Sequence, residues 1–494
     1  MNLKIDRKKV KFYTKPFING RFINPSSSDQ VKKVSPANNK KLASICDSNS
    51  KDVELAVESA KNAYESKVWV NLDLSQKKII LYKLADLIKE YKAEISFIDT
   101  LETGRSIKNF YFDSIPKAID ALIWFIEASD KFYGQATHMA KNNNSILIYE
   151  PIGVVGAIIP WNDPLVVAVW KFAPALLVGN SIIIKPAEQS TYSMLFVANL
   201  AKKAGIPDGV FNVITGYGET AGKALAMHRD VDAIFFTGSS STGKKIIGYS
   251  GKSNMKKVSL ECGGKSPFII SQNCKNMHYA AASLAKNIFY NQGQICSAPS
   301  RLLINSKIKK DFIKILKSNI QKYVPADPFS LSTEVGCLIS EKSKLKIEDI
   351  IEKALAQGAK KVNYKYSSDN LPESGNYILP TILDNVNPNS KFSKIEIFGP
   401  VLSIIEYQND EEAIRYANNT NYGLAASIWS SDIDEVYKFT RSIRCGIIHI
   451  NSYGEDDNMI PFGGIKESGI GKDKSFKSLK EYSILKSICY RYDE

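Results

Sequence analysis

The 494-residue sequence predicts an α/β fold built on a doubly wound parallel sheet, with a second α/β unit behind it. Three observations predict it. From residue 151, short apolar runs alternate strictly with amphipathic helical patterns. Helices of that length between buried strands imply parallel pairing with both sheet faces covered. A second α/β series starts near residue 267, and the chain is too long for one compact core, so two or three domains are expected.

Taken in order, "DVELAVESAKNAYESKVW" and "KKIILYKLADLIKEYKAEISFIDTLETG" space apolar residues as helices do, which places helices after about residue 50. "VVGAIIP" is a buried strand, and "PLVVAVWKFAPALLVGN" a helix closed by Gly179-Asn180. "SIIIKP" is again a strand, while "STYSMLFVANLAKKAG" starts on a serine cap and stops at Gly205. "VFNVITG", "ETAGKALAMH", "DAIFFTG", the helix after Gly243 and "KVSLEC" continue the series. The second series has strands such as "PFIIS", "RLLINS" and "CGIIHIN" and helices such as "MHYAAASLAKNIFYNQG" and "DEEAIRYANN". No internal repeat is visible, and the only low-complexity segment is the short "NPSSS" loop at 24–28.

Composition narrows the function classes. Hydrophobic content of 44% with 23% charged residues is that of a soluble globular protein. "MNLKIDRKKVKFY" has no apolar core behind its basic residues, so no secretory signal is expected. The apolar stretches at 152–160 and 164–178 are broken by Pro160, Lys171 and Pro174 and fall short of a bilayer span. A cytoplasmic protein without a membrane partner is therefore expected. The net charge of +14 invites a nucleic-acid reading, but the lysines are spread and interleaved with acids, which argues against one. Even the densest run, "KDKSFKSLKEYSILK", reads as solvated surface. Seven cysteines, an odd number with no C-x-x-C pair, argue against a disulfide framework or a metal site and for a reducing compartment.

The stretch "FFTGSSSTGKKI" (235–246) looks built for phosphate. Gly238 and Gly243 bracket small hydroxyl residues at the end of a predicted parallel strand, where a helix N-terminus favours an anion. The spacing fits a P-loop until its last position, where a magnesium-binding Ser or Thr is required and Lys245 stands instead. A dinucleotide is the better ligand, and a Ser-rich turn without one is the bland alternative.

"NQGQICSAPSR" (291–301) sets Cys296 in a polar turn, which suits a nucleophile better than an apolar strand does. A free thiol with a pKa of about 8.5 is only a few per cent thiolate at neutral pH, so its surroundings must assist. None of His138, His228, His278 and His449 stands in a recognisable partner motif. "SLECGGKSP" places Glu261 at a strand end, where its carboxylate can act as a general base. "IPWNDP" places Asn162 at another, where its amide can donate to a developing oxyanion. Taken singly, these have ordinary readings as a structural thiol, an ion-paired glutamate and a turn cap.

Together with "PWNDPLVVAVWKFAPALLVGNSIIIKPAEQS", "FFTGSSSTGK", "EIFGPVLSI", "NYGLAASIW" and "PFGGIKESGIG", they make the chain resemble NAD(P)-dependent aldehyde dehydrogenases nearly end to end. Within that family, "SNMKKVSLECGGKS", "GKDKSFKSLKEYSILK" and "YGEDDNMIPFGG" look most like the γ-glutamyl-γ-aminobutyraldehyde and aminoaldehyde dehydrogenases of polyamine breakdown. The resemblance implies an NAD-binding domain (1–131 and 151–262), a catalytic domain (263–463) and a small β oligomerisation element (132–150 and 476–494) serving a homodimer or homotetramer. It implies that Cys296 attacks the aldehyde, that Asn162 and the Cys296 N–H hold the oxyanion, and that Glu261 activates water against the thioester. Lys185 and Glu188 would hold the adenosine ribose, Gly238, Ser239 and Gly243 the pyrophosphate loop, and Trp161, Glu396 and Phe398 the nicotinamide end. A carboxylate at 188 would repel a 2′-phosphate, so NAD is expected over NADP.

Asp163, Trp170, Ile295, Ser297, Asp456 and Phe462 would line the substrate tunnel. Asp163 and the "GEDD" stretch at 454–457 stand where the family often carries aromatics, which predicts an electronegative tunnel. A cationic ω-amino or trimethylammonium aldehyde would suit it, with a γ-glutamylated aldehyde next; the opposing reading is that these acids face solvent or pair with nearby lysines. Betaine-aldehyde or broad aliphatic specificity are the alternatives. A coenzyme A-acylating enzyme is opposed by Glu261, and a P-loop NTPase by Lys245.

Overall fold

The computed structural model describes residues 10–140, 143–364, 371–454 and 457–491. Its first sheet has eight strands, five of them a parallel core. Across the sheet that core runs Lys257–Cys262, Ala233–Gly238, Val154–Ile159, Ser181–Pro186 and Phe211–Val213. Each is a run of β-branched and apolar residues, as strands covered on both faces require. Antiparallel strands close both edges: Gly469–Ile470 beside Lys257–Cys262, and Phe17–Ile18 with Arg21–Phe22 beside Phe211–Val213.

Chain order reverses at Val154–Ile159, whose successors lie on one side and later strands on the other. That switch point opens a crevice at the carboxyl ends of the strands, where doubly wound sheets bind ligands. The helix Pro164–Val178 leaves this crevice with Pro164 in its first turn and stops at Gly179, whose φ of +105° suits glycine.

The second sheet has seven strands, parallel except at Lys360–Lys361. The strand Lys257–Cys262 runs on through Gly263–Ser266 into the second sheet's Pro267–Ile270. The two sheets therefore meet head to tail, and the loops that enter the second sheet face the carboxyl ends of the first. A third sheet joins Gln135–Ala140, Asn143–Pro151 and Ser483–Arg491, all antiparallel. Its surface leaves Ile484 and Leu485 about half exposed. Among the described residues, no helix is long and apolar enough to cross a membrane.

Candidate active site

A single cavity of about 1390 Å³ fills the junction between the first two sheets. Its floor comes from four strand ends of the first sheet: Trp161-Asn162 after Val154–Ile159, Glu188 after Ser181–Pro186, Gly238-Ser239 and Glu261. Its opposite wall comes from loops entering the second sheet, with Cys296 five residues before Arg301–Asn305 and Glu396-Phe398 just before Val401–Tyr407.

Cys296 is partly exposed to this cavity. Burial, then the carboxylates of Glu396 and Glu261, push its thiol above the ordinary value. Positive charge entering the cavity would offset the carboxylates' part of that bias. The turn before it is tightly wound: Asn291 and Gln292 are left-handed (φ +47° and +57°), and Gly293 has φ +67°. Left-handed non-glycine residues each cost about 1–3 kcal/mol and persist where the surroundings hold them. Here the hold is a hydrogen-bond lattice. Asn162 Nδ2 donates to the Gln294 carbonyl (3.0 Å), Asn291 Nδ2 to the Asn162 carbonyl (3.2 Å), and Gln294 Nε2 to the Asn291 carbonyl (3.1 Å). One Nδ2 hydrogen of Asn162 stays free of that lattice.

Glu261 is buried, and among the described residues neither carboxylate oxygen is in a well-formed hydrogen bond, the Gly464 N–H alone lying near enough to weigh on it. Burial and then Asp473 raise its pKa well above the carboxylate range, opposed by Lys171 and Lys472. Lys171 pairs with Asp473 at 2.6 Å, both wholly buried. A lone lysine inside the apolar run "VVAVWKFAPA" was the available signal, since a buried charge requires a partner. The sequence reading used Lys171 only as a break in hydropathy.

The other end of the cavity suits a dinucleotide. Lys185 is buried, with its Nζ 3.5 Å from Glu188. Among the described residues Glu396 receives only the Gly264 N–H (3.3 Å), and it is pushed up to about 7 by burial, so its oxygens keep acceptor capacity for hydroxyl groups. The paired glycines of "ECGGK" permit that approach: a Cβ on Gly263 would overlap the Glu396 carboxylate, and one on Gly264 would lie 3.0 Å from the Cys296 carbonyl oxygen. Trp161 and Phe398 meet edge to face at 5.5 Å across the cavity. Ser239 caps the helix Ser240–Lys252, its Oγ accepting the Thr242 N–H. Gly243 is not in the lining; it packs against Cys262, whose Sγ would lie 3.0 Å from a Cβ there, so its role is close helix–strand approach. Lys244 and Lys245 are not in the lining: Lys244 pairs with Glu467 (2.8 Å), and Lys245 with Glu219 (2.5 Å) at the cavity's edge.

The sequence model of the aldehyde dehydrogenase family matches residues 22–488. The chain belongs to the aldehyde dehydrogenase family. This dehydrogenase, an oxidoreductase acting on aldehydes, is 39% identical over 96% of its length to NADP/NAD-dependent aldehyde dehydrogenase PuuC of Escherichia coli, 94% of which is covered. It superposes on γ-glutamyl-γ-aminobutyraldehyde dehydrogenase of Burkholderia cenocepacia with a TM-score of 0.94 at 39% identity, covering 98% of both chains. It also superposes on the indole-3-acetaldehyde dehydrogenase AldA of Pseudomonas syringae, solved with NAD+, with a TM-score of 0.95 at 37% identity and the same coverage.

At the tunnel end of this aldehyde dehydrogenase, Asp163, Ile295 and Ser297 line the cavity with Trp170 and Phe462, whose rings lie 5.3 Å apart. Asp456 lies outside the described residues. The expected electronegative role of Asp163 does not hold, because its charge is matched. The buried Arg105 reaches it at 3.1 Å, and Ser114 Oγ donates to it. A second tunnel acid, Asp113, pairs with Lys117 at 3.2 Å and accepts a hydrogen bond from Tyr290. Arg105, Asp113 and Tyr290 were not found from the sequence, since nothing local in "ETGRSIKNFYFDS", which holds the first two, or in "NIFYNQG", which holds the third, shows what they meet across the fold.

Proposed function

We propose that this enzyme oxidises an aldehyde to the carboxylic acid with NAD, through a thiohemiacetal and then a thioester on Cys296. The observation that carries the reading is the convergence of Cys296, Glu261 and Asn162, from three separate segments, on one cavity whose far end is lined by Lys185, Glu188 and Ser239. Cys296 first gives its thiol proton through Glu261 to solvent; attack by the Sγ thiolate on the carbonyl carbon then forms a C–S bond and moves the C=O π pair onto oxygen. The free Nδ2 hydrogen of Asn162, with the Cys296 N–H, receives that charge; one such donor is worth about 3–4 kcal/mol. NAD held by Lys185, Glu188, Trp161, Glu396 and Phe398 would supply the hydride acceptor. Glu261 then takes a proton from water as it attacks the thioester, the acid departs, and sulfur regains its proton. A base raised out of the ordinary carboxylate range is better matched to that task near neutral pH.

The Glu188 carboxylate beside Lys185 favours two ribose hydroxyls over a 2′-phosphate, so NAD is the cofactor we assign ahead of NADP. We read residues 1–131 and 151–262 as the NAD-binding domain, 263–463 as the catalytic domain, and 132–150 with 476–494 as the element that builds a homodimer or homotetramer. Half-exposed Ile484 and Leu485 on the third sheet support the last of these. We place the enzyme in the cytoplasm.

The substrate we propose is an ω-amino or γ-glutamylamino aldehyde of polyamine breakdown. Its support is the likeness to γ-glutamyl-γ-aminobutyraldehyde dehydrogenase; the charge of Asp163, matched by Arg105, adds nothing to it. The test is the rise in reduced-nicotinamide absorbance with 4-aminobutanal against a neutral aldehyde of the same length. Preference for the amine supports the ω-amino aldehyde, equal rates remove it while leaving the dehydrogenase, and no reduction with either, although NAD binds, rules out both aldehydes as substrates.

A further inference from the structure

Arg105 is the largest charged side chain in the wall behind Asn162, and it is wholly buried. Its guanidinium lies between the rings of Phe110 (4.8 Å) and Tyr290 (4.7 Å). Nη1 faces two groups at once, the Asn162 carbonyl oxygen at 3.3 Å and the Asp163 carboxylate at 3.1 Å. Nη2 donates to the Tyr290 hydroxyl, which in turn donates to Asp113. A planar fork with fixed donors suits this better than a lysine would, because several directions must be satisfied together.

The arrangement holds Asn162 from both ends. Arg105 and Asn291 Nδ2 both donate to its backbone carbonyl, while its side-chain amide is tied to the Gln294 carbonyl at 3.0 Å. Asp163 neutralises the buried guanidinium, as a charge out of water requires. We infer that Arg105 is a positioning residue for the oxyanion donor Asn162, and that Asp163 is its counter-ion and not a receptor for cationic aldehydes. The inference rests on the oxyanion role proposed above for Asn162. A displacement of about 1 Å at a reacting centre can cost about a hundredfold in rate, which sets the scale expected when the clamp is lost.

Two reactions of Cys296 separate positioning from general damage. Acylation by p-nitrophenyl acetate passes through a tetrahedral oxyanion, whereas alkylation by iodoacetamide builds none. In the full-length enzyme, Arg105→Gln should slow acylation ten- to a hundredfold while alkylation stays within about threefold. Arg105→Lys should recover part of the loss. Asp163→Asn leaves the buried guanidinium without its counter-ion and should slow acylation in the same direction as Arg105→Gln, while the ratio of 4-aminobutanal to butanal turnover stays unchanged. It also serves where Arg105→Gln fails to fold. An Arg105→Gln enzyme that loses both reactions equally, or an Asp163→Asn enzyme that loses its preference for the amine, overturns the inference. Asn162→Ala distinguishes the two levels. If it leaves acylation intact, the oxyanion reading itself fails; if it slows acylation and Arg105→Gln does not, only the positioning role fails.

Discussion

Gly293 offers a direct test of how the cysteine turn is built. Alanine there must adopt φ +67°, and its Cβ would overlap the Gly399 carbonyl, lying 2.6 Å from the carbonyl carbon and 3.0 Å from the Ile288 oxygen. Carbon atoms in ordinary contact stand about 3.5–4.0 Å apart, so the turn and the Gly399 segment must separate by about 1 Å. The left-handed backbone adds about 1–2 kcal/mol. Both segments matter to the site, since Cys296 follows Gly293 by three residues and Phe398 precedes Gly399. Gly293→Ala should therefore lower kcat by about a hundredfold, the cost of a 1 Å displacement. Gly358→Ala is the matched control. Its φ is +94° and nothing lies within 4 Å of the added carbon, so it should lose about 1 kcal/mol of stability and no activity. Initial rates with NAD and an aldehyde, with Tm for both variants, make the comparison. If Gly293→Ala keeps kcat within threefold of the parent, close approach at Gly399 does not organise the turn and the reasoning is refuted.

Two other variants give three further expected outcomes. Glu261→Gln should give one rapid equivalent of reduced cofactor per subunit and then turn over about a hundred- to ten-thousandfold more slowly, because thioester hydrolysis has lost its base. Its stability carries a signed pH test. Glu261 keeps its proton in the folded protein above the pH at which the unfolded chain releases it, near 4.5, so the parent loses stability as pH rises through that window. Glutamine removes the loss, and the gap in Tm between variant and parent should move in favour of the variant from pH 4 to pH 8. Glu188→Gln should narrow the preference for NAD over NADP by about tenfold in kcat/KM, within the ~1–4 kcal/mol of a unit charge pair near 4 Å; an unchanged ratio would remove Glu188 from cofactor choice.

Much of this protein was legible locally. Strands such as Val154–Ile159 and helices such as Pro164–Val178 follow from runs of a few residues, because hydrophobic period, caps and glycine stops act over one or two turns. The family motifs are likewise contiguous, so Cys296, Glu261 and Asn162 could be chosen from the chain alone. The missing hydroxyl at Lys245 turned the loop reading away from a P-loop, and the structure places Lys244 in a surface pair with Glu467.

Other features belonged to the tertiary structure alone. Gly243 reads as a phosphate-loop glycine, yet it serves packing against Cys262. Asp163 reads as a tunnel acid that attracts a cationic aldehyde, yet Arg105, 58 positions earlier in the chain, takes its charge. Lys171 finds Asp473 some 300 residues away, and Gly263 makes room for Glu396. The physical reason is common to these cases. Periodicity and capping energies depend on neighbours along the chain, whereas the cost of a buried charge or of an added Cβ depends on which atoms the fold brings within a few ångströms.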